Sequence, residues 1–121
     1  MLFSSITNDI DYMDEKKLYT NDPVNYPIDK MRNFINALHN KNMKYIIIVD
    51  PGVKEERGYP MYDECISKKL YIQNAEKSGP IINTVWPGRC VFPDFVRNNN
   101  VPAFWEKVSF FFAFNFFFLS H

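Results

Sequence analysis

Two cysteines, Cys65 and Cys90, are all that the 121 residues contain. Two are too few for a disulfide scaffold, and no Cys-x-x-Cys pair is present to begin a metal site. Only His39 and His121 could join them as ligands, at no metal-binding spacing, so no metal is expected. The pair could form one disulfide or stand as two buried thiols that pack like small apolar side chains. An excess of one charge is missing too, since fourteen basic and fourteen acidic residues cancel. Nucleic acid, whose footprint begins with a basic patch, is therefore not an expected partner. No Asn-x-Ser/Thr sequon occurs, and Met1-Leu2-Phe3-Ser4-Ser5-Ile6 lacks the basic start and apolar stretch of a signal peptide. Residues 108–121 carry no charge and hold most of the chain's twelve Phe. As a helix they would reach only about 21 Å, against roughly 30 Å of hydrocarbon, so no membrane span is expected.

What the chain does contain is patterned. Asp9 to Met13 alternates, with Ile10 and Tyr12 on one side, and predicts a short strand. Pro23 and Pro27 bracket an extended or turning segment. Met31, Phe34, Ile35 and Leu38 then recur at helical spacing. They predict a helix from about Lys30 to Asn40, with Asp29 as N-cap and Asn40-Lys41-Asn42 at its end. Tyr45 to Val49 is a continuous β-branched run, which predicts a parallel strand buried on both faces. Strand, helix and strand at these separations make a βαβ unit. From Val53 to Asn100 Gly and Pro interrupt every pattern, predicting an irregular insertion. Pro102 to Lys107 opens another helix.

Carboxylates gather at the two strand ends. Asp9, Asp11 and Asp14 lie on or after the first strand, and Ile48, Asp50 and Pro51 close the second. Trp86 lies in the insertion that follows. Carboxylates accept hydrogen bonds from hydroxyls and an aromatic face covers C–H groups, so the combination suits sugar. A plain structural role is open to each of these residues, because Asp at a strand end commonly caps the next turn.

Five motifs follow one another: Asn8-Asp9-Ile10-Asp11-Tyr12-Met13-Asp14, Asp22-Pro23-Val24-Asn25-Tyr26-Pro27, Tyr45-Ile46-Ile47-Ile48-Val49-Asp50-Pro51-Gly52, Val85-Trp86-Pro87-Gly88 and Phe92-Pro93-Asp94-Phe95. In this order and at these separations the chain resembles glycoside hydrolase family 31, the α-glucosidases, from about Asn8 to Lys107. The resemblance implies part of a TIM (β/α)8 barrel: a βαβ unit, an irregular insertion and the start of a further helix. It implies a retaining α-glucosidase that releases terminal glucose from α-linked oligosaccharides by carboxylate chemistry, without cofactor. Asp9 would hydrogen-bond the hydroxyls of that glucose, Ile10 and Ile48 would line the same pocket, and Trp86 would form an aromatic wall. Asp11 and Asp50, like Asp14 and Asp94, would hold loops and neighbouring side chains rather than touch sugar. The compartment stays open, secreted and lysosomal among the possibilities.

The family's nucleophile lies in a Trp-x-Asp-Met-Asn-Glu motif on a later strand, which does not occur here. No catalytic residue is therefore assigned, and the chain is expected to be an inactive fragment of such an enzyme. The alternative is a protein that binds sugar without hydrolysing it. After Lys107 the resemblance stops, and Val108-Ser109 begins a Phe-rich run. Val-Ser is what the intron start GTAAGT encodes in frame, and T-rich intron DNA encodes Phe. Residues 108–121 are accordingly expected to be translated intron.

Overall fold

The computed structural model describes residues 4–112, in which α and β elements mix. It divides into two compact units, one of residues 1–50 with 108–121 and one of residues 51–107. Residues 113–121 of the Phe-rich tail lie outside the described residues.

In the first unit, strand β1 (Ser5–Asn8) pairs in parallel with β2 (Lys44–Ile47), and helix α1 (Ile28–Asn40) connects them. Ile6 pairs with Tyr45 and Asn8 with Ile47, and all four are half-buried. Ser5, Thr7, Lys44 and Ile46 alternate with them and are exposed. The expectation that β2 is buried on both faces is thus corrected, because among the described residues only one face of this sheet is covered. Phe34 of α1 meets Tyr45 edge-on at 6.2 Å on that covered face, and Ile35 and Leu38 are buried beside it in sequence.

Helix α1 starts two residues earlier than its pattern suggested. Pro27 is extended (ψ 133°) and Ile28 is already helical, so Asp29 falls inside the first turn and pairs with Arg32 at 3.3 Å. A carboxylate there still opposes the positive end of the helix dipole. The helix ends at Asn40 as expected, and Asn42, with a left-handed φ of 56°, closes it as Asn42 and Met43 donate to the carbonyls of His39 and Leu38.

The strand expected over Asp9 to Met13 is a correction of kind. β1 ends at Asn8, and Ile10–Tyr12 forms a 3-10 turn. Ile10, Tyr12 and Met13 are all buried, so they cannot alternate between two faces. The residues after this turn take a tight path, with left-handed φ at Glu15, Lys16 and Tyr19.

The second unit is more regular than its punctuation suggested. Strands β3 (Val53–Lys54), β4 (Ile82–Val85) and β5 (Gly88–Val91) form an antiparallel sheet in the order β3-β5-β4. Pro87 therefore lies in a hairpin turn and Gly88 opens β5, rather than breaking the pattern. Gly52 packs so closely that a Cβ there would meet Val85 Cγ2 at 3.2 Å. Helix α2 (Pro60–Ser67) takes Pro60 in its first turn and closes with left-handed Lys69, as Lys69 and Leu70 donate to Ile66 and Cys65. Both cysteines are buried free thiols. Helix α3 (Val101–Phe112) begins in this unit and runs unbroken across Lys107 and Val108. In the first unit, Val108 is 2% exposed and Phe111 lies 4.7 Å from the ring of Tyr19. No helix among the described residues is long and apolar enough to cross a membrane.

Candidate functional site

The C-terminal edge of the parallel pair collects the first group of expected site residues. Asp9 is the residue after β1, extended at φ −78°, ψ 173°, and exposed. Its Oδ1 accepts the Ile10 N–H at 2.7 Å, which caps the 3-10 turn. A carboxylate has acceptor capacity for more than that one donor. Ile48 is the residue after β2, and its N–H donates to the Asn8 carbonyl at 3.0 Å. Its own carbonyl accepts the Tyr12 hydroxyl at 3.0 Å, so both backbone groups are held while the residue stays 38% exposed. Asp9 and Ile48 thus end adjacent strands at matching register.

Ile10, expected to line the same pocket, lies inside the turn. It is 1% exposed and serves as an interior anchor of the turn that carries Asp9. Asp11 pairs with Lys16 at 3.7 Å. Asp50 is half-buried, and its charge, with burial and Tyr45, pushes the Tyr12 phenol above its ordinary range, burial being the largest cause. The Asp14 N–H donates to Thr20 Oγ1 at 3.0 Å. Asp22, to which no role was attached, accepts from the N–H groups of Val24 and Asn25 and from the Asn25 amide, at 2.8 to 3.0 Å. These bonds hold its carboxyl below the usual range. The Asp-Pro-Val-Asn motif is therefore a closed turn.

Trp86 and Asp94 belong to the second unit. Val85 pairs with Gly88, so Trp86 and Pro87 form a two-residue turn at the tip of the β4–β5 hairpin. Gly88 has φ +105°, which an L side chain rarely adopts. This geometry leaves the Trp86 residue 65% exposed. Asp94 Oδ1 accepts from the N–H groups of Val96 and Arg97 at 3.2 and 3.0 Å and so shapes its own loop. Among the described residues no group of three His, Cys, Asp or Glu could hold a metal ion.

Residues 1–119 match the family model described as the TIM-barrel domain of glycosyl hydrolases family 31. The chain belongs to glycoside hydrolase family 31. Among its relatives, glucoamylase 1 of Candida albicans is 37% identical over 111 residues, covering 86% of this chain and 12% of that protein. The α-glucosidase of Mucor javanicus is 37% identical over 99 residues, covering 82% of this chain and 11% of that enzyme. Among solved structures, the glucosidase II α subunit superposes with a TM-score of 0.76 at 28% identity, covering 85% of this chain and 11% of that one. The chain thus spans about a tenth of the length of these relatives.

The family membership does not by itself say which groups hold the turn in place. Tyr12, to which no role was given, is the group whose hydroxyl and carbonyl both tie this edge together. A buried Tyr normally finds a partner for its hydroxyl, and its place in the Asp-Ile-Asp-Tyr motif was the available signal.

Proposed function

We propose that this chain is the part of a retaining α-glucosidase that grips the terminal glucose of an α-linked oligosaccharide. The observation that carries the reading is the strand-end pair in a family 31 barrel segment: an exposed Asp9 carboxylate, oriented by the Ile10 N–H, with the exposed Ile48 side chain ending the next strand. In this reading Asp9 accepts hydrogen bonds from glucose hydroxyls and Ile48 lines the apolar side. Ile10 supports both from beneath, Trp86 supplies an aromatic wall, and Asp11 and Asp50 hold the surrounding loops.

Retaining hydrolysis needs two carboxyl groups about 5–5.5 Å apart, one as nucleophile and one as acid and base. In this proposal both come from outside these residues, so the chain alone does not hydrolyse. In this reading residues 1–107 carry the family's motifs and the charge-free 108–121 are translated intron, with the match to the family model running on to residue 119.

The test is a segment exchange. Residues of this chain replace the matching stretch of the Mucor javanicus α-glucosidase, and maltose hydrolysis is followed with the anomeric form of the first glucose. The exchange enzyme is expected to release α-glucose, and Trp86→Ala in it to raise KM. An inactive exchange enzyme, or β-glucose as the first product, would overturn the reading.

A further inference from the structure

The parallel ladder contains a substitution of partners. In such a ladder, a residue whose N–H bonds one carbonyl passes its own carbonyl to the N–H two residues further along the neighbour. The Ile48 N–H bonds the Asn8 carbonyl, so the regular partner of the Ile48 carbonyl would be the Ile10 N–H. That N–H is instead bound by the Asp9 carboxylate at 2.7 Å. The place it leaves at Ile48 is taken by the Tyr12 hydroxyl at 3.0 Å.

Resting on the α-glucosidase reading, we propose that Tyr12 is a positioning residue for glucose binding, because its hydroxyl replaces the Ile10 N–H on Ile48 and so leaves that N–H to orient Asp9. The bonds form a closed circuit: Asn8 to Tyr12 through the chain, Tyr12 hydroxyl to Ile48, and Ile48 N–H back to Asn8. Asp9 sits within that circuit. Tyr12 is 1% exposed, and its carbonyl accepts the Asp22 N–H at 2.8 Å, which also fixes the far side of the turn. One strand level below, Asn8 Nδ2 donates to the Tyr45 hydroxyl at 2.7 Å and ties the same two strands on their covered face.

Without the hydroxyl, the Ile48 carbonyl lacks a partner and competes for the Ile10 N–H. The ladder then lengthens by one bond and the Asp9 carboxylate loses the donor that aims it. Tyr12→Phe removes only this oxygen and keeps the buried ring. In the segment-exchange enzyme it is expected to raise KM for maltose roughly threefold to tenfold, as one net hydrogen bond gives, with kcat little changed. A merely structural Tyr12 would lower the amount of active enzyme and therefore kcat, leaving KM alone; that result overturns the proposal.

A second measurement uses the full 121-residue chain. Tyr12→Phe is expected to shift the carbonyl carbon resonance of Ile48 and the amide of Ile10, and Tyr45→Phe to leave both in place. Unchanged resonances in Tyr12→Phe would show that no such bond exists. An inactive exchange enzyme would defeat the α-glucosidase reading, and the role in glucose binding with it, while the resonances still decide the partner swap.

Discussion

At Asp9 substitution can separate an observed duty from a proposed one. One oxygen caps the 3-10 turn through the Ile10 N–H at 2.7 Å, and the carboxylate is proposed to accept from glucose. Asn retains an acceptor oxygen and caps about as well as Asp, whereas Ala has none and loses about 1 kcal/mol. The sugar bond responds differently, because hydrogen bonds to a charged group contribute about 1.5–3 kcal/mol, or roughly 10- to 150-fold in kcat/KM. In the segment-exchange enzyme Asp9→Asn should therefore keep stability near wild type and lose much of its kcat/KM. Asp9→Ala should lose both. Asp63 is the control: its Oδ2 accepts the Gly58 N–H at 3.0 Å in the second unit, and it has no proposed sugar contact. The assay is maltose hydrolysis with thermal unfolding of each variant. Equal kcat/KM for Asp9→Ala and Asp63→Ala would remove Asp9 from the site.

Lys69 closes α2 with a left-handed φ of 52°, so Lys69→Gly should stabilise by about 0.5–1 kcal/mol, read as a higher urea midpoint; a lower midpoint would contradict this. Glu64 accepts from Lys107 and Lys68, which hold its carboxyl below the usual 4.5. A depressed carboxyl contributes stability above that value and loses it as pH falls through its folded pKa. The contribution is small, below about 1 kcal/mol, since both lysines are substantially exposed. Glu64→Gln should flatten the acid limb of stability against pH, and an unchanged limb would rule the pairs out. Burial pushes the Cys65 thiol up to about 12 and Cys90 to about 11. Neither should react with iodoacetamide at neutral pH until urea is added, whereas rapid native labelling would contradict their burial. Sequencing a transcript across the Lys107 codon tests the intron proposal: a mature message that carries the Phe codons to the stop would defeat it, and the packing of Val108 and Phe111 would then be the tail's reason to exist.

The parts of the fold legible in the sequence are those set by one dominant force. Burial spaces Ile35 and Leu38, and the backbone strain of a left-handed residue selects Asn42 just after α1. Both were readable. Lys69 does the same backbone work as Asn42, yet lysine carries no such signal, and the end of α2 stayed hidden. The sheet of the second unit was missed because β3 has two residues and the others four. Neither β4 nor β5 alternates between buried and exposed residues, so Pro87-Gly88 looked like an interruption when Pro87 is in the turn between them and Gly88 opens β5.

The connections around the candidate site were not legible in the sequence. Asp9, Ile48 and Trp86 are proposed from the motifs that resemble the family's, and Asp9 and Trp86 also because a carboxylate and an aromatic face suit sugar. That β1 stops at Asn8 depends instead on a contest for one donor, the Ile10 N–H, between the Ile48 carbonyl and the Asp9 carboxylate. The carboxylate is one residue away in sequence, binds through a charge and needs no strand to be paired first. It prevails more readily when the Ile48 carbonyl has another donor, here in a part-buried bond. Tyr12 is that donor, and a pattern of apolar and polar residues records its ring while saying nothing of its hydroxyl. Alternation at Ile10 and Tyr12 therefore suggested a strand, where the hydroxyl of the second residue is what lets the strand end.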